Sequence, residues 1–282
     1  MNKVMRWTGY GLAGLLGIVV VAGLTIWALS ARALAQRVEP KPERLVMAGA
    51  NVANGQHLLQ TRGCVDCHGE GLKGRKFLDE GGLATLYAPN LTLVAAQASD
   101  QQLAQGLRQG IGHDGRALFV MPSTTYAAFA DQEVADVVAA IRATPRGGSP
   151  TPAMKLGPIG SLGVALGKFE TQPKMMAAYL AKPAAELGSA TAAGRHIAIT
   201  ICADCHASNL AGKEVEPGVQ APDLAMVGSY DRAQFAKLMK TGLPPGGRNL
   251  VLMTDVSRAS FSHFTDAEVT ALFDYLQARA RS

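Results

Sequence analysis

Two identical five-residue patterns contain the residue types that could carry chemistry in this chain. Each has the form Cys-x-x-Cys-His, and their residues are Cys64, Cys67 and His68, then Cys202, Cys205 and His206. This spacing is the attachment signature of a c-type haem. Two thiols three positions apart can add to the two vinyl groups of one porphyrin, and the adjacent imidazole then reaches the iron. We therefore expect two covalently bound haem c groups, with His68 and His206 as iron ligands.

Other uses of paired cysteines are a thioredoxin-like redox pair, half of a zinc site, and local disulfides. None of these uses requires a histidine directly after the second cysteine, and no βαβ pattern surrounds either pair. The two signatures contain all four cysteines of the chain. The sequence therefore favours haem attachment over the alternatives.

A haem iron bound by one histidine has a sixth position, for which methionine and histidine are the usual ligands. Met121 and Met253 occupy matching places downstream of the two signatures, each after an irregular Gly-rich stretch and before the last helix of its repeat. His113 and His263 are rivals, but they stand at different offsets from the repeat landmarks. We expect Met121 and Met253 to be the axial ligands.

The similarity between the two halves extends beyond the signatures and indicates a tandem duplication. The matching segments are Gly55-Gln56-His57 and Gly194-Arg195-His196 before the signatures, and Ala88-Pro89-Asn90-Leu91 and Ala221-Pro222-Asp223-Leu224 after them. We predict domains at residues 47–144 and 191–282, and we expect His57 and His196 to pack near the haem edges. Each Pro89 or Pro222 carbonyl could accept the proximal imidazole N–H.

Each repeat ends in an amphipathic pattern with apolar residues at i, i+3, i+4 and i+7, typical of a helix that faces a core. The two stripes are Val134, Val137, Val138 and Ile141, and Val269, Leu272, Phe273 and Leu276. Thr265 and Glu268 predict a capping box at the start of the second helix. Arg116 and Arg248 stand at matching places and either bind haem propionates or have plain loop roles.

The N-terminal segment predicts a membrane helix. Residues 7–31 contain no charge and are long enough to cross a hydrocarbon core of about 30 Å. Lys3 and Arg6 precede this stretch, so the positive-inside rule places residues 33–282 outside the inner membrane, on the periplasmic side. The alternative is a signal peptide cleaved after Ala33-Leu34-Ala35, so residues 1–36 are an anchor or a signal.

The remaining composition limits the other functions. Residues 145–190 are rich in proline and glycine and predict a connector with little regular structure. The net charge of +5 arises largely from basic residues in the N-terminal segment, and the rest of the chain is nearly balanced. A balanced surface without a basic stripe excludes a nucleic-acid partner.

The chain resembles the cytochrome c subunits of membrane-bound bacterial dehydrogenases for alcohols, aldehydes and gluconate. The segments that carry this resemblance are YAPNLT at residues 87–92, GIGHDGRALFVMP ending at Met121-Pro122, and MTDVSRASFSHFTDAEV from Met253. Such subunits usually carry three haems and a C-terminal anchor, from which this chain departs. The resemblance implies an all-α protein with two tandem class I cytochrome c domains. It also implies a relay that takes electrons from a membrane or periplasmic dehydrogenase and delivers them to an oxidase or a soluble cytochrome.

Other classes of dihaem protein are weaker candidates. A terminal-oxidase subunit with two c haems would also have an N-terminal span. A dihaem peroxidase needs an open iron position, which two aligned methionines disfavour, and a thiosulfate dehydrogenase commonly uses a cysteine ligand that this chain cannot spare. Because no constellation of acid, base and nucleophile is evident either, we expect electron transfer without catalysis.

Overall fold

The computed structural model describes residues 3–216 and 218–282 and is mostly helical. The α-helices are α1 (Lys3–Leu34), α2 (Val52–Thr61), α3 (Cys64–His68), α4 (Leu91–Ala95), α5 (Asp100–Gln109), α6 (Ser123–Tyr126), α7 (Asp131–Ala143), α8 (Pro158–Ala165), α9 (Gln172–Leu180), α10 (Ala192–Ile197), α11 (Ala203–His206), α12 (Arg232–Thr241), α13 (Leu252–Ala259) and α14 (Asp266–Ala280). The strands are β1 (Arg75–Glu80), β2 (Ala84–Ala88), β3 (Lys155–Leu156), β4 (Lys213–Glu216) and β5 (Val219–Ala221). A π-helical turn at Ala198–Cys202 joins α10 to α11.

Helix α1 stands apart from the two repeats over most of its length. Its segment Arg6–Leu34 is long and apolar enough to cross a membrane, and a signal sequence near an N-terminus would meet the same description. The chain after α1 is bound to the first repeat, because Val38 N–H donates to the Gly115 carbonyl at 3.0 Å and Ala117 N–H donates to the Gln36 carbonyl at 2.9 Å. The C-terminal end of α1 is therefore held beside the first domain, while most of the helix stands away from it.

In each repeat the helix that leads to the signature crosses the last helix at very short distance. Helix α2 packs on α7, and α10 packs on α14. At the crossings lie Gly55 and Gly194, where an added Cβ would stand 1.9 Å from a backbone carbonyl oxygen, that of Asp136 and of Ala271 respectively. Only glycine allows backbones to approach so closely, which explains why both repeats have glycine at this position.

The predicted core helices are confirmed. Both apolar stripes of the closing helices are buried, at Val134, Val137, Val138, Ile141, Val269, Leu272, Phe273 and Leu276. The predicted capping box is also present, with the Thr265 side chain accepting from Glu268 N–H and the Glu268 carboxylate accepting from Thr265 N–H. Local sequence and core packing therefore specify the same helix start.

The sequence predicts an all-α protein, but the structure also contains two small β-sheets. Strands β1 and β2 pair antiparallel, β3 adds to β2, and β4 pairs with β5. Both hairpins lie between a signature and the following Ala-Pro segment, where each returns the chain toward the signature histidine. Strands β1, β4 and β5 are short and largely exposed, so they lack the apolar alternation that identifies a strand in sequence.

The connector also differs from the expectation of little regular structure. Residues 145–190 contain strand β3 and helices α8 and α9. Both helices begin with proline in the first turn, where its missing N–H costs no hydrogen bond. Pro158 and Pro173, which contributed to the prediction of an irregular segment, thus lie in the first turns of helices instead.

Replacing Gly194 by alanine is expected to destabilise the second repeat by roughly 1–3 kcal/mol, because the new methyl group overpacks the crossing of α10 and α14. The measurement is chemical unfolding of the full chain followed by circular dichroism. Gly81→Ala is the matched control, since an added Cβ there meets no atom within 4 Å. Equal unfolding midpoints for the two variants would contradict this account of the crossing.

Candidate functional site

The first signature forms the short helix α3, which Arg62 and Gly63 separate from α2. Gly63 precedes it with φ of 74°, a left-handed conformation that suits glycine. His68 is buried, and its Nδ1 lies 2.8 Å from the Pro89 carbonyl oxygen. Burial lowers the pKa of His68, so the imidazole is neutral and donates from Nδ1. Its Nε2 is then left with a lone pair that can bind a metal.

The second signature has the same geometry. His206 is buried, and its Nδ1 lies 2.7 Å from the Pro222 carbonyl oxygen. Burial lowers the pKa of His206 as well. The predicted hydrogen bonds from both histidines to prolyl carbonyls are thus confirmed, and they orient each ring in the way that second-shell partners orient metal-binding histidines.

A leucine and a glycine after each signature also shape the sites, and the sequence analysis missed them. Leu72 and Leu210 are buried with φ of 56° and 63°, in the left-handed region that leucine rarely adopts. Gly74 N–H and Gly212 N–H then donate to the carbonyl oxygen of the signature histidine, at 2.7 and 2.9 Å. The shared Leu-x-Gly spacing after each histidine was the available signal.

The surroundings of the cysteines do not suit a redox-active thiol pair. Burial raises the pKa of Cys64 to about 12 and that of Cys202 to about 12. A thiol used in disulfide exchange needs the opposite shift, because the thiolate is the nucleophile. Among residues 3–216 and 218–282, no group of three or more His, Cys, Asp or Glu side chains could hold a metal ion. The zinc alternative therefore has no support, whereas thiols beside an oriented neutral imidazole fit a haem.

Each candidate methionine borders the core of its own domain. Met121 lies in a bend before α6. Like Cys64, it packs against the core of the first domain. Met253 lies in the first turn of α13, directly after an irregular stretch, and like Cys202 it packs against the core of the second domain. Ligation of iron by either methionine stays a prediction.

The other candidate residues lie at or near the protein surface. Arg116 binds the Asp114 carboxylate at 2.5 Å and is exposed, and Arg248 is also exposed. His263 is exposed, and His113 is partly buried in a surface loop. The structure therefore gives the propionate roles of the two arginines no support.

The two signatures lie at the boundary between the domains, and each contacts the opposite domain. The Ser260 hydroxyl donates to the Asp66 carboxylate of the first signature at 2.5 Å. Burial raises the pKa of the Asp204 carboxylate of the second signature, and the Thr125 side chain of the first domain lies close enough to lower it. The contacts correspond, because Asp66 and Asp204 hold the same position in Cys-x-x-Cys-His, and each hydroxyl follows the candidate methionine of its own domain.

A second reciprocal pair of contacts joins the domains beside the signatures. His57 Nε2 lies 2.9 Å from the Glu268 carboxylate, and His196 Nε2 lies 2.6 Å from the Glu133 carboxylate. Each glutamate also accepts the N–H of the cap residue at the start of its closing helix, Thr265 or Ala130. The histidines expected near a haem edge therefore bind the opposite domain.

Arg62 is a buried cation within this boundary and has no counterpart in the second repeat. It lies in the link between α2 and α3 and is 2% exposed. Its guanidinium carbon lies over the Phe264 ring, 5.6 Å from the ring centre. Its Nη1 donates to the Thr61 hydroxyl at 3.0 Å, while its buried Nε has no hydrogen-bond partner among the described residues. Burial lowers the pKa of Arg62, and its charge acts on both Cys64 and Cys202.

Comparison with known proteins agrees with the repeat. The family described as Cytochrome c matches residues 52–145 and again residues 191–280. The two matches cover most of the chain outside α1 and the connector. None of the curated proteins compared with the chain matches it.

Replacing Glu133 by glutamine is expected to destabilise the domain boundary by roughly 1 kcal/mol at neutral pH. Burial tends to raise the pKa of Glu133, but the hydrogen bond from His196 holds it below its ordinary value. Stabilisation is therefore complete above the unfolded-state pKa of about 4.3 and is lost as the pH falls through the lower folded-state value.

The measurement is the unfolding midpoint in guanidinium chloride from neutral to acidic pH. The Glu133→Gln variant should lose part of the acid dependence seen in the unaltered chain. Glu186→Gln is the matched control, because the Glu186 side chain of the connector is 82% exposed and its ion pair with Arg195 does not join the two domains. An unchanged acid profile for Glu133→Gln would show that this carboxylate does not stabilise the boundary.

Proposed function

Because the chain belongs to the cytochrome c family, whose domain it contains twice, we propose that it holds two covalently bound haem c groups and relays electrons through them. Cytochrome c domains imply electron transfer and covalently bound haem. When bound, each haem supplies one-electron chemistry at its iron. The chain holds the groups, sets their surroundings and brings the two sites together.

The residues for each haem come from one repeat. Cys64 and Cys67 would bind the first porphyrin, with His68 and Met121 as iron ligands. Correspondingly, Cys202 and Cys205 would bind the second, with His206 and Met253 as ligands. The carbonyls of Pro89 and Pro222 hold the imidazoles in one orientation. Methionine opposite histidine raises a reduction potential, which suits an intermediate carrier.

The observation that carries the relay proposal is the reciprocal placement of the two signatures. Asp66 of one signature accepts from the Ser260 hydroxyl of the opposite domain, and Asp204 of the other lies beside Thr125 of the opposite domain. Burial is the main cause of the raised pKa of Cys67, and the Asp204 carboxylate adds to it, which indicates that the second signature lies near the first. Two attachment sites at a shared boundary provide a short internal route for an electron.

We also propose that α1 is retained as an inner-membrane anchor, with both haem domains on the periplasmic side. The packing of α8 along α1, where Ser30 is 3% exposed, supports retention, because these contacts lie before the cleavage site after Ala35 and would be lost with it. In this arrangement a membrane or periplasmic dehydrogenase would supply electrons, and an oxidase or a soluble cytochrome would accept them.

The axial ligands are testable one at a time. Met121→Ala and Met253→Ala are each expected to remove about half of the sulfur-to-iron charge-transfer absorption of the oxidised protein, because each deletes one of two thioether ligands. Met226→Ala is a suitable control, since Met226 is 43% exposed. Mass spectrometry should show two haems on every variant. A full-strength band in the Met121→Ala, Met253→Ala double variant would overturn the ligand assignment.

The relay role predicts electron transfer without turnover of a substrate. The purified full chain should be reduced rapidly by a dehydrogenase acting on its own substrate. It should show no steady-state turnover of alcohols, aldehydes, peroxide or thiosulfate with artificial donors or acceptors. A variant with Cys202 and Cys205 both replaced by alanine should keep one haem and lose onward transfer. Substantial turnover by the isolated chain would make it an enzyme instead.

A further inference from the structure

Helix α8 and the residues that follow it carry an exposed apolar face. Ile159 is 63% exposed, Leu162 41%, Leu166 64% and Phe169 47%. The first three share one helical face, because they are spaced three and four positions apart. Isolated apolar residues are common on protein surfaces, whereas a contiguous group of large ones marks an interaction site.

This face lies beside the C-terminal part of α1. Helix α8 packs along α1. Among the α1 side chains that the structure describes, those with reduced exposure lie toward its end, where Ser30 is 3% exposed and Ile26 and Leu34 are partly buried. The apolar face of α8 is thus continuous with the surface of the proposed anchor.

The length of α1 sets the level at which α8 would meet a bilayer. From Trp7 to Trp27 the helix rises about 30 Å, which equals the thickness of the hydrocarbon core. Both tryptophans are exposed, as interfacial aromatic residues are in a membrane protein. With Trp7 at the inner interface, residues 26–34 of α1 stand at the outer interface, and α8 stands there with them.

Charges around α8 suit a surface of anionic lipid headgroups. Lys155 and Lys168 flank the helix. The nearby Glu170 carboxylate is already bonded to Lys174 at 2.7 Å. An apolar helix face bordered by lysines is the pattern of a segment that lies in the membrane interface.

Helix α8 is also bound firmly to the first domain. Gly157 N–H donates to the Leu83 carbonyl at 2.7 Å, and Ile159 N–H donates to the Gly82 carbonyl at 2.9 Å. Strand β3, immediately before α8, pairs with β2. A contact between α8 and the membrane would therefore set the orientation of the first haem domain.

We propose that the face formed by Ile159, Leu162, Leu166 and Phe169 inserts into the outer leaflet of the membrane beside α1. The occupant of this face is the acyl region of the lipid. Together with the anchor, it gives the first domain a second attachment to the bilayer and a fixed tilt. This inference rests on the proposal that α1 is a retained anchor, and it adds the orientation of the domains.

The test is photolabelling of the full haem-loaded chain in vesicles of phosphatidylcholine and phosphatidylglycerol that contain a lipid with a diazirine in its acyl chain. Trypsin then separates the segments, because it cleaves at Arg6, Arg32, Lys155 and Lys168. We expect lipid adducts on residues 7–32 and on residues 156–168. Residues 249–258, which contain the exposed Val251 and Leu252, should carry none.

Substitutions in the apolar face test the same inference more directly. Ile159→Ser with Leu166→Ser should reduce adducts on residues 156–168 about tenfold, while labelling of residues 7–32 stays unchanged. Val251→Ser with Leu252→Ser is the matched control and should alter neither segment. Labelling of residues 7–32 but not of residues 156–168 would overturn this inference and leave the anchor proposal intact. The same result is expected if a second copy or another protein covers the face instead of lipid. Absence of labelling on residues 7–32 would overturn the anchor itself.

Discussion

The close crossing of two helices in each repeat is the constraint on which the rest of the structure depends. Gly55 and Gly194 allow the helix before each signature to touch the backbone of the closing helix. The same crossing places His57 on one helix and Glu133 at the start of the other. Each domain therefore presents a histidine and a glutamate together on one side, and two such sides face each other. The contact between the domains follows from the fold of each repeat.

Local patterns predicted the parts of this molecule whose cause is local. The stripe of Val134, Val138 and Ile141 has the helical period, and Thr265 with Glu268 forms a cap within one turn. The bond from His68 to Pro89 spans 21 positions, yet it could be predicted because the repeat shows the same proline after both signatures. In each case the cause was visible in a short segment or in the comparison of the two halves.

Other features depend on long-range contacts that leave no local pattern. The pairing of His57 with Glu268 joins residues 211 positions apart and depends on how two folded domains meet. The left-handed Leu210 is tolerated because its side chain is fully buried, which no propensity scale anticipates. The connector helices were missed because proline interrupts most helices but suits their first turn. Tertiary contacts override composition in all three cases.

Arg62 makes the two otherwise similar halves of the chain differ. The first repeat has one residue more than the second between its upstream histidine and its first cysteine, and Gly63 accommodates the extra length in a left-handed turn. Arg62, in the same link, lies in a medium of low dielectric constant, where a fixed positive charge favours any nearby site that gains an electron. One repeat thus supplies a positive charge that acts on the cysteines of both signatures. The two scaffolds have nearly the same geometry, but they do not contribute equally to the electrostatics of their shared boundary.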